Sequence, residues 1–587
     1  MRFVLEDLCA ADDVVQLPGL EEMSPDVVAA VLEEAGKFAQ EVLSPINKLG
    51  DEKGSRLIDG VVRTPDGWKE AYATFIEGGW NGAVFEPEYG GMGVPWLVNA
   101  AIQEMLHAAN MSFALCPMLT QGAIEAITFN ASDELKARYL PKMVSGEWTG
   151  TMDLTEPQAG SDLSAVRTRA EPCGDHYLIS GQKIFITYGD HDLTENIIHL
   201  VLARTPTAPP GVKGISLFVV PKILVGDDGA LLGPNDVRCV SLEHKLGIHA
   251  SPTAVLSYGD TTGAVGYLVG EENKGLAYMF VMMNLARLNV GIQGLGIAER
   301  AYQQAREYAR ERVQGQPVGI DGATRATIIE HPDVRRMLMT MKGYIEAMRA
   351  LACSAARSID FAHRHPDSSV RSLHQGRVEL LTPIVKGWCT ELSVEITSLG
   401  VQVHGGMGYV EETGACQHFR DARITPIYEG TTAIQANDLV GRKILRDRGE
   451  TLRNLVEEMR TLDDELALKQ DPACAALRSA LNAGADALAE VGDWLIAAAA
   501  RDPRLPAAAS VPVLRLMGTV IGGYYMARSA LAAMARLDAG DGDRAFLTGK
   551  IATARFYAEQ IMPQVAGLLP AIVNGSDSVL SLQSEQF

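Results

Sequence analysis

The chain has little that would make it a disulfide-built, metal-centred or membrane-spanning protein. Its eight cysteines are scattered singly between Cys9 and Cys474, with no C-x-x-C pair and no His–Cys ligand spacing. That pattern argues against a zinc site or a disulfide framework and fits a reduced, metal-free cytoplasmic protein. Long apolar runs are also missing: no stretch reads as the roughly twenty uncharged apolar residues of a membrane helix, so no stable membrane insertion is expected. The opening Met-Arg-Phe-Val-Leu-Glu-Asp-Leu reaches acids at Glu6 and Asp7, before any core of signal-peptide length. Basic clusters are absent as well. The formal net charge is −21, and the Lys and Arg residues are dispersed, so nucleic acid is not an expected partner. A small anionic ligand remains compatible, because a few local arginines suffice to bind it.

What is present divides by period. At 587 residues the chain is too long for one core. From Ser24 to about residue 145 apolar positions recur at three and four residue steps, with Ser24-Pro25 as a helix start. Between about 150 and 265 the pattern changes to short runs rich in β-branched and aromatic residues, such as Tyr177 to Thr187, Ile197 to Ala203 and Gly214 to Val220, separated by Gly, Pro and Asp turns. Helical periodicity returns at about residue 273. The expected fold is mainly α with a central β domain, divided as 1–150 helical, 151–270 β, 271–450 a helical bundle and 451–587 additional helices. The last segment is broken by turn sequences at 502–506 and 540–544.

Residues 424–435, Ile-Thr-Pro-Ile-Tyr-Glu-Gly-Thr-Thr-Ala-Ile-Gln, stand out. Glu429 lies between an aromatic ring and a glycine turn. Burial there would raise its pKa from about 4.3 towards the range a base beside a carbonyl needs. Thr431, Thr432 and Gln435 offer neutral hydrogen-bonding groups suited to phosphate or ribose. Taken alone, the same segment also reads as a helix-start carboxylate. Two further blocks weigh on the choice: Val401-Gln402-Val403-His404-Gly405-Gly406-Met407-Gly408-Tyr409, and Leu154-Thr155-Glu156-Pro157-Gln158-Ala159-Gly160-Ser161-Asp162. Gly291-x-x-Gly294-x-Gly296 is not a dinucleotide fingerprint, since it lies inside a helical pattern and follows no strand; it reads as close helix packing.

In this order, with Pro87 to Gly93, Gly181 to Thr187 and Tyr308 to Arg312, the blocks closely resemble the acyl-CoA dehydrogenase family over about residues 25–450. Those are FAD flavoproteins that oxidise acyl-CoA thioesters to trans-2-enoyl-CoA. The length beyond Arg446 resembles the long-form bacterial members, among them those acting on 3-methylmercaptopropionyl-CoA. The resemblance implies a helical domain, a β-barrel-like domain and a helical bundle. It implies that Glu429 is the base, its N–H gripping the thioester carbonyl; Ala286 stands where some members place the base and cannot serve.

It further implies flavin-ring contacts from Leu154, Thr155, Ser161, Phe185 and Thr187, with Phe185 replacing a tryptophan common there. Arg312, Gln402, Gly405, Gly406 and Gly408, with Thr431 and Gln435, would hold the pyrophosphate and adenosine end of FAD from the second subunit of a homodimer. Substrate contacts would come from Ser161, Asn284, Arg287, Tyr428 and Gly430, Asn284 standing where aspartate is common. Electrons would pass to electron-transferring flavoprotein.

Two other readings stay on the page. An acyl-CoA oxidase would pass electrons to oxygen. A DNA-alkylation-response flavoprotein of the same fold would need a basic tail, whereas residues 451–587 hold twelve Lys or Arg against sixteen Asp or Glu. Acyl chain length is not legible, although Pro117 to Glu125 and residues near Gln103 are candidates to line the pocket.

Overall fold

The structure, a computed structural model, describes residues 1–319 and 325–587. The chain forms two compact units: one of Ala29–Val94 and Met105–Asn289, the other of Met1–Val28, Pro95–Glu104 and Val290–Phe587.

The first unit contains an eight-stranded curled sheet. Its strands are β1 (Trp148–Asp153), β2 (Arg169–Cys173), β3 (His176–Thr187), β4 (Asn196–Ala203), β5 (Ser216–Pro221), β6 (Val237–Leu242), β7 (Thr253–Tyr258) and β8 (Ala264–Leu268). Hydrogen-bonded neighbours run β6-β7-β3-β8-β5-β4-β1, with β2 also on β3. The path is linear, and β1 and β4 are its parallel pair. Every residue of β4 and β5 is buried, which explains their largely apolar sequence: a strand covered on both faces has no solvent side, and Asn196, His199 and Ser216 are buried with the rest. Apart from the sheet this unit is helical, and it takes in α1 (Pro25–Phe38) from Ala29 onward. The long helix α2 (Trp96–Asn130) is broken at Asn110 (φ −157°, ψ 91°), whose side chain accepts from the Phe113 amide at 3.1 Å and so starts the helix afresh. Helix α3 (Asp133–Ser145) leads into the sheet.

The second unit is a helical bundle. It takes in α4 (Gly275–Glu311) from Val290 onward, α5 (Pro332–Arg364), α6 (Ser368–His404), α7 (Ala415–Ala422), α8 (Thr432–Asn437), α9 (Glu450–Arg460), α10 (Pro472–Arg501), α11 (Arg504–Ala539) and α12 (Arg544–Phe556). The glycines of α4 do pack closely: a Cβ on Gly291 would lie 2.7 Å from the Val385 carbonyl, and one on Gly294 3.0 Å from that of Cys389. The turn sequences of the tail fall between α10 and α11 and between α11 and α12. The tail is continuous with the bundle, since a Cβ on Gly518 of α11 would strike Trp388 of α6 at 2.3 Å.

Two features bear on the expected organisation. Met1–Val28 and Pro95–Glu104 group with the bundle and not with the rest of the first 150 residues. Long-range polar contacts draw them there: the Asp360 carboxylate accepts from the Trp96 and Leu97 amides at 2.8 and 2.9 Å, and Arg349 grips both Glu104 and Glu299. In addition, α4 and α11 are long and apolar enough to cross a membrane, but 56% and 72% of their most apolar windows are buried, so these helices serve the core.

Candidate functional site

The glutamate loop belongs to the bundle. Glu429 is half-buried at φ +55°, a left-handed backbone that costs a side-chain-bearing residue energy, and Gly430 follows at φ +88°. Five side chains hold this shape. Lys386 on α6, fully buried, donates to the carbonyls of Thr425 at 2.9 Å and Gly430 at 2.7 Å. The Gln435 amide, also fully buried, donates to the Glu429 and Gly430 carbonyls at 3.2 Å each. Thr432 donates to Glu391 at 2.5 Å, and the Thr431 hydroxyl caps α8 through the Ile434 amide. Tyr428 donates to Gln293 of α4 at 2.5 Å. Burial, and after it the nearby Glu429 charge, hold that phenol well above its ordinary pKa.

The loop therefore gives its predicted polar residues structural work. Gln435 and Thr431 brace the turn, and the Tyr428 hydroxyl is engaged with Gln293. Lys386, Gln293 and Glu391 carried no assignment from sequence. Lys386 had a legible signal: it is the lone charge in Leu380 to Thr390, where solvent exposure would have surrounded it with other polar groups.

The second glycine block is also in the bundle. The Tyr308 ring of α4 stacks on His404 at 4.5 Å, and Gln304 bridges the Thr413 carbonyl and His418. This seats residues 404–418 against the end of α4, so Arg312, one turn beyond Tyr308 and exposed, shares a neighbourhood with exposed Gln402, Gly405 and Gly406. Gly405 has φ +60° and ψ −138°, and neither it nor Gly406 has any heavy atom within 4 Å of an added Cβ, leaving their backbone approachable. Gly408 is different: a Cβ there would meet the Val401 carbonyl at 2.2 Å, so it serves the turn itself.

In the other unit, Leu154 and Thr155 lie against β3. Lys183, fully buried, donates to the Leu154 carbonyl at 3.0 Å and pairs with Glu156 at 2.8 Å. Glu156 also accepts from the amides of Arg167 and Thr168, the Thr168 hydroxyl and Gln158. The Ile184 amide donates to the Thr155 carbonyl at 2.9 Å. Pairing of β3 with β7 shifts between Ala254 and Leu256, which places one extra residue in β3 beside Phe185. This bulge, with Phe185 at φ +61°, turns a large ring outward to 58% exposure instead of into the core. Leu154, Thr155, Phe185 and half-buried Thr187 are thus brought together; Ser161 is exposed on the same loop. Arg287 is buried, 3.4 Å from the Asn284 amide oxygen and over the Phe280 ring, while Asn284 is exposed.

A curled sheet preceded and followed by helices, the later ones bearing a glutamate on a forced turn, is the architecture of acyl-thioester dehydrogenases. Its relatives narrow that class. Family models for the acyl-CoA dehydrogenase N-terminal, middle and C-terminal domains match residues 26–147, 151–261 and 273–444, and an acetyl-CoA dehydrogenase C-terminal-like model matches 455–583. A 3-methylmercaptopropionyl-CoA dehydrogenase of Ruegeria pomeroyi is 51% identical over 99% of this chain and 98% of its own. A butyryl-CoA dehydrogenase of Syntrophomonas wolfei is 38% identical over 96% and 94%. In fold, the chain matches an acyl-CoA dehydrogenase complexed with FAD from Bacillus anthracis with a TM-score of 0.73 over 100% of this chain and 94% of that one, at 20% identity. The chain belongs to the acyl-CoA dehydrogenase family, and it is an oxidoreductase acting on acyl-CoA.

Proposed function

We propose that the protein carries out FAD-dependent α,β-dehydrogenation of an acyl-CoA to the trans-2-enoyl-CoA, with Glu429 removing the α proton. The observation that carries this is the clamp on residues 425–430: a half-buried carboxylate on a left-handed residue, its own carbonyl and the next one tied down by Gln435 and Lys386. Backbone strain held by its surroundings belongs where a reacting group must be aimed. The Glu429 amide N–H is the proposed donor to the thioester carbonyl, where negative charge grows as the proton leaves.

The residues present fit FAD. Phe185 offers an exposed ring wall beside Leu154 and Thr155, and Gly405 and Gly406 leave open backbone near the Arg312 guanidinium. When bound, FAD supplies the hydride acceptor that no side chain provides. Leu154, Thr155, Ser161, Phe185 and Thr187 would hold its ring, while Arg312, Gln402, Gly405 and Gly406 would hold its phosphates from a second copy of the chain. Gln435 and Thr431 act instead through the glutamate loop. Asn284 and Arg287 are the proposed CoA contacts, electrons pass to electron-transferring flavoprotein, and the assembly is a homodimer. The tail supports a dimer: most of the Val511 to Met526 face is buried within its own bundle. Light scattering reads this directly, and a tetramer stable on dilution would overturn it.

Identity of 51% to an enzyme named for 3-methylmercaptopropionyl-CoA supports a short, sulfur-containing acyl group as substrate. Anaerobic bleaching of the flavin by a panel of acyl-CoAs tests both levels. The thioether substrate should bleach fastest, and a marked preference for long straight chains would remove it. Glu429→Gln should keep FAD and bind acyl-CoA while flavin reduction falls by about 10³-fold or more. Near-normal reduction would exclude Glu429 as base. Hydrogen peroxide formed in step with turnover in air would favour the oxidase reading.

A further inference from the structure

Away from the glutamate loop, the bundle contains a cavity of about 350 Å³ lined by Arg357 of α5, Arg377 of α6, Arg528, Tyr524 and Tyr525 of α11, and Glu458 of α9, with residues 8–10 at one side. Three arginines from three helices and one glutamate line it. Arg377 and the Tyr524 hydroxyl both engage Glu458. The Tyr525 hydroxyl donates to Ser354 at 2.6 Å, and Arg528 donates to the Leu8 carbonyl at 3.0 Å. Arg357 stacks over Phe361 at 4.2 Å, and among the described residues its ion pair is with Asp13 at 3.7 Å, itself largely exposed. Burial depresses the Arg357 pKa, and the charges of Arg377 and Arg528 push it the same way. In a chain with 73 acidic and 52 basic residues, this concentration of positive charge runs against the overall balance.

We propose that this cavity is a binding site for a small phosphomonoester, separate from the substrate and cofactor sites. Two features select that class. Guanidinium groups converging from three helices need an acceptor with oxygens pointing in at least three directions, which a tetrahedral phosphate has and a planar carboxylate lacks. The volume exceeds that of inorganic phosphate and leaves room for a compact organic substituent. The site also depends on the long form of the chain. Arg528, Tyr524, Tyr525 and Glu458 all come from residues beyond 450, and Arg357 and Arg377 from the bundle they cover.

The test uses the full-length FAD-loaded enzyme and inorganic phosphate as probe, with chloride holding ionic strength constant. Calorimetry should show saturable phosphate binding that Arg357→Gln weakens by about tenfold or more, since a charge-assisted contact is lost, while Arg357→Lys restores part of it. Flavin reduction by acyl-CoA should be unchanged in both variants. Without phosphate, Arg357→Gln should melt at the same or a higher temperature than the parent, because removing one of three mutually repelling cations relieves the site. Absence of saturable binding overturns the proposal. So does binding that survives Arg357→Gln, which would place phosphate at a CoA or FAD site, and so does succinate binding as tightly as phosphate. If the variant does not fold, crystals of the parent soaked in tungstate decide: an anomalous peak bridging the three guanidinium groups supports the site, and its absence ends it.

Discussion

Two loops, one in each unit, are each positioned by a buried lysine, and they use it differently. In the sheet unit Lys183 pairs with a carboxylate, and Glu156 then gathers two amides, a hydroxyl and a side-chain amide around itself. In the bundle Lys386 donates directly to two main-chain carbonyls on either side of Glu429. The first arrangement fixes a loop through an ion pair and spreads that constraint over residues 154–168. The second fixes two peptide units, those of Thr425 and Gly430, and with them the turn that carries Glu429. Holding a loop by its carbonyls aims the residue between them without requiring a carboxylate as the anchor.

The sharpest way to break this comparison is chemical. If Glu429→Gln reduces flavin normally, the bundle loop is merely a strained turn and the contrast loses its meaning. Next in size is Glu156→Gln, which leaves Lys183 buried against a neutral partner and should destabilise the protein by about 3–5 kcal/mol in chemical denaturation.

The same residue predicts a pH dependence. Burial alone would raise the Glu156 carboxyl, but the Lys183 charge and the hydrogen bonds from Lys183, Thr168 and Arg167 outweigh it and hold the value below 4.5. A depressed carboxyl contributes stability that is present above its unfolded value and lost as pH falls through the folded one. Stability of the parent should therefore fall more steeply below about pH 4.5 than that of Glu156→Gln. Parallel acid limbs would show that the pair does not act as described.

Lys386→Met should cost about 2–4 kcal/mol by stranding the Thr425 and Gly430 carbonyls, and should lower kcat more than it raises KM because the glutamate loses its aim. A loss of stability with kcat intact would reduce Lys386 to a structural brace. Arg312→Ala should weaken FAD retention by about 1.5–3 kcal/mol, read as flavin lost on dialysis, with the apoprotein's melting temperature little changed. The smallest effect is expected at Gly430→Ala, about 1–2 kcal/mol, since a Cβ at φ +88° would lie 2.7 Å from the Gln435 amide nitrogen. Unaltered stability there would mean the turn relaxes more easily than its hydrogen bonds imply.

Much of this architecture was legible in the residues. Short runs rich in β-branched and aromatic residues marked β4 and β5, because strands covered on both faces are mostly apolar, and the Asp-Pro and Gly-Asp turns marked the ends of α10, α11 and α12. The grouping of residues 1–28 and 95–104 with the bundle was not legible. It rests on side chains such as Asp360 and Arg349, hundreds of positions away, reaching backbone and carboxylate groups that no local pattern announces.

At the candidate site the division is the same. The order of the three motif blocks, the glycine after Glu429 and the length of the tail are properties of the chain itself, and they determined the family, the cofactor class expected and the residue proposed as base. Only the folded structure decided what each polar side chain does with its hydrogen bonds. Thr431 and Gln435 read from the sequence as groups suited to phosphate or ribose; in the fold the Thr431 hydroxyl accepts from the Ile434 amide and Gln435 donates to the Glu429 carbonyl. The resemblance offers Phe185 as a flavin-ring contact, and only the fold shows the single-residue bulge that turns its ring outward. Sequence fixes which donors and acceptors exist, but their partners lie far along the chain, and a buried polar group takes whichever partner the tertiary packing brings within about 3 Å.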